Sequence, residues 1–211
     1  MSDSRTILYL VRHGATAANL AEPPVLQGRG MDIALAPPGF EQAEATRDFL
    51  ASVAIDHCYS SPLLRALQTA GIIAARHGIR PYVDDELTEC NVGRWEGLDW
   101  DTIRMRDADA YRKFMERPGE HGYPDGESFA DVERRASAAI LRLLIRHLGQ
   151  SVLVVSHRVV SRVYLATLLG LSPNQARRVN VDNCSVSVIE YRGGKTRLVT
   201  LNAVFHLKHV S

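Results

Sequence analysis

The sequence has few of the features that mark a disulfide-stabilised, membrane-bound or nucleic-acid-binding protein. Its three cysteines are widely spaced, which excludes a disulfide framework or a cysteine-rich metal site and favours a reducing compartment. The net charge of +1 provides no general attraction to nucleic acid or anionic membranes. The apolar run at residues 7–11 is too short for a membrane or secretory segment. We therefore expect a cytoplasmic protein with no nucleic-acid and no membrane partner.

The apolar residues that are present alternate between strand-like and helix-like patterns. Runs at residues 7–11 and 152–155 predict buried parallel strands, with weaker strand signals at 57–60 and 81–83. A β-hairpin is predicted where residues 185–191 and 196–202 flank Gly193 and Gly194. Helical spacing predicts helices after residue 39, over 64–75, over 129–144 and from 163 to Gly170. This alternation predicts an α/β fold with three α/β/α layers and a mainly parallel central sheet.

Residues 91–126 interrupt the alternation. They contain both tryptophans and many charged residues, and their pattern predicts a mostly helical insertion. No internal repeat or low-complexity linker separates them from the rest of the chain. Hydrophobic residues form 45% of the 211 residues, enough for one substantial core. We therefore predict a single domain, 1–211, with a helical cap at about 91–126 over the edge of the sheet where a site would lie.

Polar residues follow both long predicted strands at the edge where parallel strands end. Arg12 and His13 follow the first strand, and His157 follows the second. In open α/β sheets this edge is the usual ligand site. One histidine there is usually just a polar residue at a strand exit. Two histidines with an adjacent arginine favour a shared site.

Arg65 and Glu89 are further candidates for this site. Arg65 lies in the first turns of the helix predicted from YSSPLLRALQTA, where a cation does not complement the helix dipole unless an anion is nearby. Glu89 lies in ELTECNVGRWEG, just past a predicted strand. Taken alone, Arg65 is equally well explained as an exposed surface side chain, and Glu89 is better explained in that way.

Together these residues predict a pocket for a phosphoryl group. Arginine forks suit phosphate oxygens, and the pocket would contain Arg12 and Arg65. A neutral histidine can attack phosphorus while a carboxylic acid protonates the leaving oxygen. The cations would offset charge on the phosphoryl oxygens, as bound magnesium does in other enzymes. The residues thus predict phosphoryl transfer with no metal and no cofactor.

The motifs RHG, SSPLLRALQTA, ELTECNVGRWEG, GES and VVSH, in this order, resemble those of the histidine phosphatase superfamily, the phosphoglycerate-mutase-like proteins. The C-terminal stretch beginning VDNCSVSVIEY is similar to that of the small phosphatase branch. The resemblance implies that His13 is the nucleophile that becomes phosphohistidine and that Glu89 is the proton donor. It also implies that Arg12, Arg65 and His157 bind the phosphoryl group, without a metal.

Four further positions follow from the same resemblance. Asn19, six residues after His13, matches the phosphate-binding asparagine of the family. Thr16 and Gln27 are interpreted as contacts at the rim of the pocket. His206 lies where similar phosphoserine phosphatases have a histidine, and a solvent-facing role for it fits the sequence equally well.

The chain also departs from the family pattern. Ala15 and Ala18 stand where the family often has glutamate and tryptophan, and Arg158 stands where glycine commonly follows the second histidine. The added cation either reaches a substrate carboxylate or alters access. Gly14 is expected to let the chain pass close to the phosphoryl group. Since none of the five core positions is lost, we expect an active enzyme.

We therefore predict a metal-independent phosphomonoesterase that hydrolyses a small phosphorylated metabolite through a phosphohistidine. One alternative is a cofactor-dependent phosphoglycerate mutase, although family mutases are usually longer and their insertion carries an arginine-rich clamp. A second is a non-catalytic regulator that binds phosphate or phosphopeptide, which predicts loss of His13 or Glu89. A nucleotide-binding domain lacks support because no glycine-rich phosphate loop follows a predicted strand. The expected partner is a small phosphomonoester, and a homodimer through an edge strand or the hairpin stays open.

Overall fold

A six-stranded mixed sheet forms the centre of the protein in the computed structural model, which describes residues 4–208. The strands are β1 (Thr6–Arg12), β2 (His57–Ser60), β3 (Pro81–Val83), β4 (Ser151–Ser156), β5 (Val186–Arg192) and β6 (Lys195–Ala203). Their order is β3-β2-β4-β1-β5-β6. The first four in that order are parallel, whereas β5 pairs antiparallel with β1 and β6 antiparallel with β5. The predicted parallel strands and the predicted hairpin are both confirmed.

Seven α-helices connect or flank the strands within residues 4–208. They are α1 (Ala17–Leu20), α2 (Pro37–Phe49), α3 (Leu64–Ala75), α4 (Trp100–Arg106), α5 (Ala108–Glu116), α6 (Phe129–Arg146) and α7 (Arg158–Leu168). Short 3-10 helices lie at Asp85–Leu87, Gly93–Trp95, Pro173–Arg178 and Phe205–Leu207. The four helices predicted outside the insertion correspond to α2, α3, α6 and α7. Among the described residues, no helix has both the length and the apolarity needed to cross a membrane.

The period-two alternation of the central strands creates the three layers. Leu8 and Leu10 of β1 are fully buried in the cluster that includes α6 and α7. Val11 of β1 and Leu153 and Val155 of β4 point the other way, into a cluster with α3. Since successive strand residues face opposite sides, one apolar run supplies both faces, at about 1.5–3 kcal/mol for each fully buried side chain. The predicted α/β/α fold is confirmed.

Pairing between β1, β4 and β2 brings three loops to one edge of the sheet. Arg12 at the end of β1 aligns with Ser156 at the end of β4, and Ser60 of β2 aligns with Val155. The residues that follow these strands therefore leave the sheet side by side. This edge holds His13, His157 and the start of α3.

The insertion at residues 91–126, with α4 and α5, covers part of the same edge. They are attached through an aromatic cluster in which the rings of Trp95 and Phe114 lie 5.5 Å apart. Phe129, the first residue of α6, lies 5.7 Å from Phe114. Trp95 is buried, as expected for a residue that packs the insertion onto the sheet, whereas Trp100 is 37% exposed. Edge-to-face contacts of this kind add to the burial of large apolar rings.

Candidate active site

A cleft of about 330 Å³ lies at the carboxyl ends of the parallel strands. Six of the predicted site residues line it: Arg12, His13, Asn19, Gln27, Glu89 and Arg158. Arg65 and His157 are completely buried next to it, and the His157 ring lies 5.1 Å from the ring of His13. Thr16 and His206 do not line the cleft. The structure therefore brings eight of the ten predicted residues into one region.

His13 is held in one tautomer and one orientation. Its Nδ1 lies 2.7 Å from the carbonyl oxygen of Gly14, and the residue is 3% exposed. A carbonyl can only accept a hydrogen bond, so Nδ1 carries the proton of the neutral ring. Nε2 then keeps its lone pair. An imidazole in this state is a nucleophile at Nε2.

Three buried polar atoms around His13 have no hydrogen-bond partner among residues 4–208. They are Nε of Arg12, Nε of Arg65 and Nδ1 of His157. Their remaining atoms are engaged: Arg12 Nη1 donates to the Val181 carbonyl at 2.9 Å, and His157 Nε2 lies 2.7 Å from Ser61 Oγ. Buried polar atoms normally have partners, so three exceptions in one place indicate a binding site for a ligand with several acceptor oxygens.

Burial and neighbouring positive charges lower the pKa values of the basic side chains in the pocket. Burial, followed by the charges of Arg12 and Arg65, lowers the pKa of His13 well below its usual value. Burial, with Arg65 as the largest electrostatic contributor, likewise lowers the pKa of His157. Burial and then the neighbouring Arg158 lower the pKa of Arg12 to about 9. Both imidazoles are therefore neutral at pH 7, and a bound anion would offset the excess positive charge.

Glu89 is buried and held at the start of α7. Its Oε1 accepts from its neighbour Cys90 N at 2.8 Å, and its Oε2 accepts from Val159 N at 3.3 Å. Arg135 Nη2 donates to the Glu89 carbonyl at 3.3 Å, and Arg135 Nε donates to Glu127 Oε1 at 2.8 Å. Glu127 belongs to the GES motif. The motif thus positions the backbone around Glu89 through Arg135.

Thr16, Asn19 and Gln27 form one hydrogen-bonded unit. Thr16 Oγ1 lies 2.8 Å from Gln27 Oε1 and 3.1 Å from Asn19 Oδ1. Asn183 Nδ2 donates to Asn19 Oδ1 at 3.3 Å and to the His13 carbonyl at 2.9 Å. Thr16 is completely buried, so it positions the other two residues and does not lie at the rim as predicted.

Gly14 is required by packing against α2. A Cβ at this position would lie 2.3 Å from the carbonyl oxygen of Gly39. Gly14 N donates to Thr69 Oγ1 at 3.0 Å, so α3 also holds the loop. The close approach that the structure shows at Gly14 is therefore to the backbone at the start of α2.

His206 lies outside the cleft. Its Nε2 is 3.1 Å from both Thr46 Oγ1 and the Cys184 carbonyl, and its ring stacks on Phe49 at 4.6 Å. Contacts with α2 and with the loop before β5 hold the His206 ring, which is half-buried and does not line the cleft.

Sequence reasoning missed three residues of the cleft region. Ser61 contacts His157, Asn183 supports His13 and Asn19, and Arg162 lines the cleft one helical turn after Arg158. Signals for each are present in the sequence: the serine pair before α3, the VDNCS motif, and the four-residue spacing of two arginines just before the helix predicted from residue 163.

The sequence profile of the histidine phosphatase superfamily, branch 1, matches residues 8–204. A putative phosphoserine phosphatase 2 of Hydrogenobacter thermophilus is 31% identical over 205 residues, covering 97% of this chain and 98% of that one. A probable phosphoglycerate mutase GpmB of Yersinia enterocolitica is 36% identical over 186 residues, covering 88% and 85%.

A solved structure of a phosphatase shows that the similarity extends to the fold. A mutant phosphoserine phosphatase of Entamoeba histolytica, in complex with phosphoserine, superposes with a TM-score of 0.85 at 30% identity. The superposition covers 96% of this chain and 99% of that one. The resemblance inferred from the motifs is confirmed, and the chain belongs to branch 1 of the histidine phosphatase superfamily as a histidine-type phosphatase.

Proposed function

We propose that the chain hydrolyses a small phosphomonoester through a phosphohistidine at His13, without a metal ion. We also propose that residues 1–211 act as one domain, with residues 91–126 as its cap. Membership of the superfamily and its phosphatase relatives support a small-molecule phosphatase. The observation that carries the mechanism is the group of three unpartnered buried donors around a histidine whose Nε2 is free.

The first step transfers the phosphoryl group to His13. The lone pair of Nε2 attacks phosphorus, the ester P–O bond breaks, and Glu89 gives its proton to the leaving oxygen. Arg12, Arg65 and His157 donate hydrogen bonds to the phosphoryl oxygens. These donors are already in place before the reaction, so little reorganisation is needed when charge develops.

The second step returns the enzyme to its starting state. The Glu89 carboxylate takes a proton from water, the oxygen of that water attacks phosphorus, and the P–N bond to His13 breaks. Inorganic phosphate leaves with its charge still matched by Arg12 and Arg65. Both steps use the same carboxyl group in opposite directions.

Positive charge from the side chains supplies what a divalent cation supplies in other phosphoryl-transfer sites. Arg12 is 7% exposed and Arg65 is fully buried, so solvent screens their charges only weakly. This arrangement supports metal-independent hydrolysis. The cleft volume of about 330 Å³ fits a small metabolite better than a large one.

The test is phosphate release from a panel of esters with EDTA present. The panel contains p-nitrophenyl phosphate, phosphoserine, 3-phosphoglycerate and sugar phosphates. We expect release to survive EDTA and to fall below a few per cent in His13→Ala, with the variant still folded by circular dichroism. Rapid acid-free quenching of the wild type should trap phosphate on His13. Retained turnover in His13→Ala would contradict the mechanism, and loss of turnover with EDTA would contradict metal independence.

A second candidate function is phosphoglycerate mutation, favoured by the 36% identity to a probable phosphoglycerate mutase. Four of the five arginines of the insertion argue against it, because they are paired with neighbouring carboxylates: Arg94, Arg104, Arg112 and Arg117. Interconversion of 2- and 3-phosphoglycerate with a bisphosphate primer, at a rate above phosphate release, would favour the mutase.

A further inference from the structure

One wall of the cleft is formed by the first turns of α7. Arg158 is the first residue of this helix and Arg162 follows four residues later, so both lie on the same helical face. Both line the cleft that contains His13 and Glu89. The wall is fixed to the catalytic residues because Val159 N, between the two arginines, donates to Glu89 Oε2 at 3.3 Å.

The two guanidinium groups have no ion-pair partner in the described part of the chain. Within residues 4–208, neither Arg158 nor Arg162 forms an ion pair, whereas four of the five arginines of the insertion do. Arg162 Nε donates to the Val179 carbonyl at 2.9 Å, which orients its side chain. Arg158 is exposed and makes no hydrogen bond with the described residues. Two like charges one turn apart are unfavourable without an anion between them.

The charge of Arg158 affects the pKa values of other arginines in the cleft. Burial and then Arg158 lower the pKa of Arg162 to about 10, and the same order of causes lowers the pKa of Arg12. Nε of Arg12, a residue with only 7% exposure, has no partner within the described chain. Positive side chains therefore line the cleft from the buried pocket at His13 to Arg158 at the mouth. Glu89 and Asp182 are the acidic residues of the same cleft and offset part of this charge. One phosphoryl group at His13 does not account for the outer part.

We propose that Arg158 and Arg162 form an outer anion site and that the substrate is a small phosphomonoester carrying a carboxylate. This inference rests on the proposed phosphatase function and adds the substrate class to it. A carboxylate presents two oxygens to a guanidinium fork. A carboxylate also suits the cleft better than a second phosphate because Asp182 lines the same cleft with its own negative charge.

The test compares two esters that differ only in the carboxylate. 3-Phosphoglycerate and glycerol 3-phosphate share the phosphoryl group and the three-carbon chain, so the ratio of their kcat/KM values isolates the contribution of the carboxylate. We expect the wild type to favour 3-phosphoglycerate by at least about 10-fold and Arg158→Gln to lose most of that ratio. Arg158→Lys, which keeps the charge but not the fork, should retain an intermediate ratio. Phosphoserine and phosphoethanolamine form a second such pair.

Arg146→Gln is the matched control. Arg146 is an exposed arginine at the end of α6, near the amino end of β4 and therefore at the opposite side of the sheet. The Arg146→Gln substitution removes the same charge as Arg158→Gln, and it should leave the ratio of the two kcat/KM values unchanged.

An unchanged ratio in Arg158→Gln, a wild type that uses both esters equally, or a preference for a sugar bisphosphate over 3-phosphoglycerate would each overturn the outer carboxylate site. Failure of the wild type to release phosphate from any ester, including p-nitrophenyl phosphate, would instead overturn the proposed function.

Discussion

The arginines of the buried pocket and those of the insertion show two uses of the same side chain. In the insertion, Arg104 pairs with Asp101 at 3.0 Å and both side chains are more than 60% exposed. In the pocket, Arg65 is fully buried and forms no ion pair with the described residues. Exposed pairs contribute little to stability because water already solvates both charges. Burial lowers the pKa of Arg65 although the charges of nearby carboxylates partly offset this effect, so an anion bound in the pocket would stabilise the folded protein.

The difference shows which arginines are arranged to bind an anion. Arg65 Nη1 and Nη2 donate to the carbonyls of Met31 and Gly28 at 2.8 and 3.1 Å, so the guanidinium is fixed in place while its Nε stays open. The fold therefore holds the donors rigid and leaves them unsatisfied. An anion that binds there gains their full interaction without ordering any side chain.

The largest expected effect is a difference in kcat/KM between a variant of the buried pocket and a variant of the insertion. Arg65→Gln removes a buried donor aimed at the proposed phosphoryl site and should lower kcat/KM by about 100- to 1,000-fold. Arg104→Gln removes an exposed charge and should change kcat/KM by less than about twofold. Steady-state kinetics with p-nitrophenyl phosphate measures both, with circular dichroism to verify folding. Similar losses of kcat/KM in the two variants would contradict the conclusion that only the pocket arginines bind the phosphoryl group.

A smaller effect is expected on stability when phosphate is added. Inorganic phosphate at about 100 times its Kd should raise the Tm of the wild type by roughly 5–10 °C, because only the folded state has the pocket. Arg12→Gln should lose most of this shift, whereas Arg104→Gln should keep it. Differential scanning calorimetry at constant ionic strength, with chloride as the reference anion, measures the shift. An equal shift in all three proteins would locate the phosphate elsewhere.

The smallest effect is the dependence of stability on pH. Burial and the nearby cations lower the pKa of His13 and His157, so the folded protein keeps both rings neutral where unfolded histidines take up protons. The unfolded state then binds more protons, and the free energy of unfolding falls as the pH drops below about 6.5. Each histidine contributes up to about 1.4 kcal/mol per pH unit.

His13→Gln should therefore show a shallower acid slope than the wild type. Urea denaturation between pH 7.5 and 5 in phosphate-free buffer measures the slopes, and His57→Gln serves as a control at the amino end of the sheet. Identical slopes in wild type and His13→Gln would show that the imidazole is not buried in a neutral state.

Much of the fold and of the candidate site could be predicted from local patterns. The apolar runs of β1 and β4 and the helical spacing of α3 and α6 depend on neighbours in the chain, and these elements lie where predicted. Arg12, His13 and His157 were recognisable because they directly follow strands. Their grouping followed from the general geometry of parallel sheets, without knowledge of the strand order.

Other residues could not be assigned from the sequence because their roles depend on distant partners. Thr16 is a positioning residue because Gln27 and Asn19 fold against it. His206 lies outside the cleft because its ring is held by hydrogen bonds with Thr46 and the Cys184 carbonyl. A sequence motif specifies a residue type, but the contacts of that residue are made by segments far apart in the chain.

The sequence by itself therefore determined the family, the layered fold and the identity of the residues around the proposed phosphoryl site, because these follow from periodicity and ordered motifs. The tertiary structure alone decided which nitrogen of His13 is free, which donors stay unpartnered and that Arg162 joins Arg158 in the cleft. Those properties arise from burial and from hydrogen bonds between separate elements, and both exist only once the sheet has assembled.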